Sequence, residues 1–189
     1  MAKRMHNQLR IIGGDWKGQR LRFDGVPGLR PTSDRNRETL FNWLQPVLPG
    51  SHCLDLFAGS GALGLEAISR GAASALLVER DRRALASLRA NIKRLGADDR
   101  VRLHGGDALR FLAEPKRPYD IVFLDPPFSS DLVEPVCRAL AAGDWVTDGG
   151  HIYVEHARQQ QPAFPAHWRI LRERTAGDVR FLLLQPPGN

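Results

Sequence analysis

The chain has 189 residues, a formal net charge of +6 and two cysteines. That length suits one domain, or one domain with an appendage. It buries enough surface to need neither disulfides nor a structural metal. No apolar run approaches the roughly 20 residues of a membrane span, and the start, Met1-Ala2-Lys3-Arg4-Met5-His6, lacks the apolar stretch of a secretory signal. Cys53 and Cys137 lie far apart. They fit buried thiols in a reducing cytoplasm better than a disulfide framework or a zinc site.

The charge is concentrated. Residues 1–37 hold nine Lys or Arg against three Asp, while the other 152 residues hold 18 of each sign. A localised basic segment is the footprint of a polyanion-binding surface. The plain alternative is a solvated basic tail. Five such side chains on single-stranded phosphates would give log K against log salt a slope of about −3.5.

Residues 8–23 read as two short strands around Gly13-Gly14-Asp15-Trp16-Lys17-Gly18, a hairpin. Trp16 among Lys17, Arg10 and Arg20 either stacks on a base or covers the edge of a small apolar face. Thr32 or Ser33 caps a helix whose apolar face is Leu40, Phe41, Leu44, Val47 and Leu48, and Pro46 shortens it. From residue 51 strands and helices alternate. Strands are expected at 53–57, 75–79, 101–105, 119–124 and 151–155. Helices are expected at 62–70, 82–95, 108–112 and 132–141. Leu85, Leu88, Ile92 and Leu95 form one stripe on the second helix. Near-continuous apolar strands between helices imply a mostly parallel sheet covered on both faces. Residues 168–174 and 179–184 flank Thr175-Ala176-Gly177-Asp178 and read as an antiparallel hairpin at the sheet edge. The expected organisation is an α/β domain over 32–189, with a basic extension and small hairpin over 1–31.

Two motifs carry chemistry. Leu54-Asp55-Leu56-Phe57-Ala58-Gly59-Ser60-Gly61-Ala62-Leu63-Gly64 lies at a strand-to-helix junction. Its glycines let backbone approach a ligand, and Gly59-x-Gly61-x-x-Gly64 matches a dinucleotide fingerprint, weak by itself. Glu79 ends the next strand, where an acid accepts ribose hydroxyls. Asp107, in Gly105-Gly106-Asp107-Ala108, can accept an adenine amine or cap a helix. The second motif, Asp125-Pro126-Pro127-Phe128, follows the fourth strand. Asp125 and the Pro126 carbonyl can accept two hydrogen bonds from one planar NH₂ group, and Phe128 can stack on its ring. Such a loop holds an aromatic amine flat, with its nitrogen aimed at an electrophile.

Asp55-Leu56-Phe57-Ala58-Gly59-Ser60-Gly61, Glu79, Asp107 and Asp125-Pro126-Pro127-Phe128 together resemble a Rossmann-like class I S-adenosylmethionine-dependent methyltransferase of the amino-methylating kind. Arg10-Ile11-Ile12-Gly13-Gly14, Lys17-Gly18 and the block Arg30 to Leu44 narrow the resemblance to the bacterial 16S rRNA (guanine(966)-N(2))-methyltransferase family. The resemblance implies a seven-stranded sheet, S-adenosylmethionine as cofactor, and 16S rRNA in the assembled 30S subunit as partner. It implies a cytoplasmic monomer without metal. It places the methionine part of the cofactor on Asp55 and the Gly59–Gly61 loop, ribose on Glu79, adenine on Asp107 and guanine on Asp125 to Phe128. Phe57, Ala58, Ser60, Arg80 and Ala108 belong to the same cofactor site, which Asp125 also touches. Arg10, Trp16, Lys17, Arg20, Arg30, Thr32 and Arg37 are expected on the RNA side. Thr32, Arg37 and Glu38 are candidates to line the pocket, with Arg37 and Glu38 as a plain surface pair the alternative.

Transfer to guanine N2 would be a direct in-line displacement, with position and electrostatics supplied by the enzyme. The target base must leave its stack. Three rival readings remain. An adenine-N6 methyltransferase shares the Asp-Pro-Pro-aromatic logic. An NAD-dependent dehydrogenase shares the glycine loop. A non-catalytic RNA-binding protein would have no use for the glycine loop, Glu79, Asp107 and Asp125 together.

Overall fold

A computed structural model describes residues 6–24, 33–114 and 117–188. Strands β1 (His6–Arg10) and β2 (Arg20–Asp24) form an antiparallel hairpin, with Leu9 paired to Leu21. Helix α1 (Asp34–Leu44) follows, its first turn capped by Ser33, whose Oγ accepts the Asn36 N–H at 3.2 Å. The chain then alternates through β3 (His52–Asp55), α2 (Gly64–Ser69), β4 (Ser74–Glu79), α3 (Arg82–Leu95), β5 (Val101–Gly105), α4 (Ala108–Phe111), β6 (Tyr119–Leu124), α5 (Val133–Ala142) and β7 (Val146–Ala157). It ends in β8 (Arg169–Ala176) and β9 (Val179–Gln185).

Seven strands make one sheet in the order β5-β4-β3-β6-β7-β9-β8. The first five are parallel and the last two pair antiparallel. The chain winds outward from β3 in one direction, then crosses to β6 and winds in the other. Such a reversal opens a crevice at the carboxyl ends of the two central strands.

Each sheet face has its own core. One joins Phe41, Ile68, Leu88, Phe123, Tyr153 and Phe181 under α1, α2 and α3; the other joins Leu54, Val122, Val136, Trp145 and Leu182 under α4 and α5. The α3 stripe behaves as periodicity demands, with Leu85, Leu88 and Ile92 buried and Leu95 packed against them. Cys53 and Cys137 are buried free thiols. Burial raises both to about 12, so they stay protonated and unreactive. Among the described residues no helix is long and apolar enough to cross a membrane.

Three expectations need correction. Helix α1 ends at Leu44, before Pro46, and Val47 is left exposed rather than on the apolar face. Helix α2 starts at Gly64, not Ala62, because Gly59 and Gly61 adopt positive φ and spend those residues on a turn. Strand β7 starts at Val146, five residues before the expected position. Its register on β6 jumps from Tyr119–Val146 to Ile121–His151, so Thr147 to Gly150 sit in an irregularity.

The described part of the basic extension is not set apart from the domain. Leu9, Ile11, Leu21 and Phe23 are buried in the same core as α1, α2 and α3. Backbone bonds tie it down: Asn91 of α3 bridges the Arg22 N–H and carbonyl at 3.2 and 2.8 Å.

Candidate active site

Four acids stand at the carboxyl ends of four consecutive strands. Asp55 ends β3, Glu79 ends β4, Asp107 follows β5 and Asp125 follows β6. Together they line a cavity of about 1060 Å³. Phe57, Ala58, Gly59, Ser60, Arg80, Ala108, Pro126, Pro127 and Phe128 line it too. All of these are residues that the sequence motifs assign to the cofactor or acceptor site. Walls outside the motifs include Val78, Asp81, Ala84 and Leu132.

The glycine loop is held from both sides. Asp55 is buried, and its carboxylate accepts the Gly64 N–H at 3.1 Å and the Phe57 N–H at 3.4 Å. Burial raises its pKa to about 7; the Glu79 charge adds, and the two backbone donors oppose. Glu79 accepts the Gly59 N–H at 2.8 Å and the Asp81 N–H at 2.7 Å. Gly61 does not line the cavity. Its φ is 83°, and a Cβ there would come within 2.8 Å of Leu65 and Leu88. Its contribution is to turn the chain against the core.

Asp107 caps α4, and both cap bonds, from the Leu109 and Arg110 N–H groups, go to Oδ1. The capping and ligand-facing readings are therefore compatible, since the residue still lines the cavity.

The loop after β6 is rigid. The Pro127 carbonyl accepts the Ser130 N–H at 2.9 Å and the Ser130 hydroxyl at 2.6 Å. It is thus committed within the loop. Pro126 is buried, whereas Asp125 and Phe128 are half-buried at the cavity. Beneath them Tyr153 donates to Glu155 at 2.7 Å. Burial and the nearby Glu155 and Asp125 charges push the Tyr153 hydroxyl far up, so it stays a donor. Sequence reasoning missed this pair, because nothing in an apolar strand marks one tyrosine as polar at its tip.

The RNA-side residues divide. Arg10, Lys17 and Arg20 are exposed. Arg30 and Thr32 lie outside the described residues. Trp16 is half-buried against the core, with the Arg100 guanidinium 5.3 Å over its ring. In the free chain the ring thus covers the edge of an apolar face. Arg37 is not on the surface and does not pair with Glu38. It has no exposure. Its Nη2 donates to the Arg10 carbonyl at 2.8 Å and to Asp34 at 2.7 Å, and its Nη1 lies 3.5 Å from Glu66. Glu66, also fully buried, accepts the Ile12 and Gly13 N–H groups at 2.9 and 2.8 Å and Arg70 Nε at 2.8 Å. This network fastens the hairpin to α2. Glu38 does not line the cavity either. Among the described residues no cluster of His, Cys, Asp and Glu is placed to hold a metal ion.

Comparison with known proteins agrees with this architecture. The profile of the family described as conserved hypothetical protein 95 matches residues 9–185. Ribosomal RNA small subunit methyltransferase D of Escherichia coli K12 is 49% identical over 179 residues, covering 94% of this chain and 90% of the relative. Its Haemophilus influenzae namesake is 40% identical over 181 residues, covering 94% of each chain. The solved yhhF structure from Escherichia coli superimposes with a TM-score of 0.88 at 48% identity, covering 97% of this chain and all of that one. The chain belongs to the conserved hypothetical protein 95 family, among the relatives of ribosomal RNA small subunit methyltransferase D.

Proposed function

We propose that this protein is an S-adenosylmethionine-dependent methyltransferase that methylates N2 of a guanine in 16S rRNA, in the cytoplasm and on the assembled small subunit. The observation that carries the reading is the convergence of Asp55, Glu79, Asp107 and Asp125-Pro126-Pro127-Phe128 on one cavity. The names of the relatives support rRNA of the small subunit as the substrate class.

The donor set fits the cofactor. S-adenosylmethionine presents an ammonium, a ribose diol and an adenine amine, each of which donates hydrogen bonds. Three carboxylates stand ready as acceptors, and the cavity is large enough for the cofactor and a base. In this reading Asp55 and the glycine loop take the methionine end, Glu79 the ribose and Asp107 the adenine amine. When bound, the cofactor supplies a methyl group on a sulfonium, activated for in-line transfer.

The chain's own residues then do three things. Asp125 and the Pro126 carbonyl hold the two N–H bonds of guanine N2, which orients the nitrogen lone pair. Phe128 stacks on the ring and excludes water from one face. The Asp125 carboxylate stabilises the positive charge that grows on nitrogen. Exposed Arg10, Lys17 and Arg20 grip phosphates beside the target, with Arg30 a further candidate on the same side. Positioning dominates, because the exocyclic nitrogen of guanine is a weak nucleophile.

The test is methyl transfer from labelled S-adenosylmethionine to three acceptors, with the product nucleoside identified. The acceptors are small ribosomal subunits from cells lacking the homologous enzyme, naked 16S rRNA and duplex DNA. N2-methylguanosine formed mainly in the subunits is the expected result. N6-methyladenine in any acceptor would overturn the base assignment while keeping the chemistry. Cofactor binding with no transfer to any of the three would overturn this substrate assignment, leaving another acceptor or an RNA-binding protein.

A further inference from the structure

Gln159-Gln160-Gln161-Pro162 has no feature in sequence beyond that of a loop. In the fold the Gln160 side chain makes three hydrogen bonds, all near the amine-holding loop. Its Oε1 accepts the N–H of Ala157, the last residue of β7, at 3.1 Å. Its Nε2 donates to the Phe128 carbonyl at 3.2 Å and to the Ser130 carbonyl at 3.1 Å. The partners settle the orientation of the amide. A backbone N–H can only donate and carbonyls can only accept, so oxygen must face Ala157 and nitrogen must face the loop.

Both protons of one amide nitrogen are therefore committed to two carbonyls that bracket Ser129. The other end of the amide is fixed to a strand of the central sheet. The side chain is a strut between β7 and the segment that ends in Phe128. Few alternatives satisfy all three bonds. A carboxylate offers no donor to the two carbonyls, and an asparagine is one methylene short. Glutamine is half-buried and belongs to neither core, so its bonds hold the loop rather than the domain.

We propose that Gln160 is a positioning residue for methyl transfer: it fixes the Asp125–Phe128 loop, and the face of Phe128, at the depth the acceptor base requires. This rests on the reading of that loop as the holder of the guanine amine. Misplacement of a reacting group by about 1 Å can cost about 100-fold in rate. Release of two of the loop's carbonyls is a displacement of that kind.

The experiment compares the full chain with Gln160→Glu and Gln160→Met. Cofactor affinity is read by calorimetry, kcat and KM on small ribosomal subunits, and hydrogen exchange at residues 128–131 and along β6 and β7. The expected result is cofactor affinity within about two-fold of the parent and kcat lower by about 10- to 100-fold. Exchange should be faster in 128–131 only. Parent-like kcat in both variants overturns the proposal. Exchange that rises equally through β6 and β7, with cofactor affinity lost in step, also overturns it, since the role would then be structural. The parent enzyme is the control for the underlying reading: parental transfer to a different base sinks that reading, whereas parental N2 methylation with unaffected variants sinks only the strut.

Discussion

Glu79 at the end of β4 accepts the N–H of Gly59, in the loop that follows the neighbouring strand β3, at 2.8 Å. One carboxylate thus shapes the glycine loop and faces the cavity that the loop borders. Loss of the side chain removes both functions. Glu79→Ala is expected to weaken S-adenosylmethionine binding by about 10- to 100-fold, the usual range for one or two hydrogen bonds to a charged group. Glu79→Gln should fall between, because an amide keeps one acceptor and loses the other. Titration calorimetry reads the cofactor, and RNA affinity should not change. Equal cofactor affinity in Glu79→Ala would remove the role given to this residue.

Asp125 poses a different question, because its proposed work begins only when the methyl group moves. Asp125→Ala should fold and bind cofactor nearly as the parent does, yet turn over about 100- to 1000-fold more slowly. Asp125→Asn separates charge from hydrogen bonding, since it keeps an acceptor for the amine. Single-turnover rates on saturating subunits make the comparison. Unchanged turnover in Asp125→Ala would refute the assignment.

Asp55 makes the cofactor site sensitive to pH. Its carboxyl is raised to about 7 by burial, against an ordinary value of 3.8. Between those values the folded chain carries a proton that the unfolded chain has lost. Stability of the cofactor-free protein should therefore fall as pH rises from about 4 to about 7. A bound ammonium favours the ionised acid, so S-adenosylmethionine should bind more tightly at pH 8 than at pH 6, releasing a proton at the lower pH. Binding enthalpies in two buffers of different ionisation heat report that proton. Asp55→Asn should abolish the release, and a release that persists in it would assign the proton to another group.

Arg37 is the clearest case of a residue whose surroundings the sequence hides. It sits in a basic segment, four residues from a capping serine, where exposure is the ordinary outcome. Its partners are Arg10, Asp34 and Glu66. Glu66 is remote in sequence and reads as one more helical acid. Arg37→Met should lower stability by about 3 kcal/mol in chemical denaturation, because it leaves Glu66 buried with one cation fewer. The salt dependence of RNA binding should stay as it is. A shallower salt slope with unchanged stability would restore Arg37 to the RNA surface.

The exposed cations of the hairpin carry the opposite expectation. Replacing Arg10, Lys17 and Arg20 together by Gln should make the slope of log K against log salt shallower by about 2, at roughly 0.7 per phosphate contact. Stability should move little. An unchanged slope would mean that these side chains face solvent in the complex as they do in the free protein.

What was legible in the sequence has a common cause. Asp55, Glu79 and Asp125 are readable because each ends or immediately follows an apolar run, and Asp107 because it follows the third strand through Gly105-Gly106; a parallel sheet brings such strand ends to one edge. The local signal sufficed there. It failed where geometry depends on a distant partner. Gln160 is defined by Phe128 and Ser130, about 30 residues away. The start of β7 was hidden because Thr147-Asp148-Gly149-Gly150 is turn chemistry, and only pairing with β6 draws it into the strand. Trp16 is undecided in sequence because it sits in a glycine-rich turn between Asp15 and Lys17, whereas in space it packs against the core under the Arg100 guanidinium.

The hairpin's attachment also bears on the order in which the protein is made. Strands β1 and β2 leave the ribosome well before the groups that bury them. Arg22 waits for Asn91, 69 residues on, and Ile12 waits for Glu66, 54 residues on. A two-stranded ribbon of this size has little stability alone. During synthesis the amino-terminal segment must therefore remain an open, basic, partly greasy strand until α2 and α3 have emerged. A shortened version that begins at α1 would have the converse defect. It would carry an uncovered apolar face and a buried glutamate deprived of two of its donors, and would aggregate instead of serving as a minimal catalytic fragment.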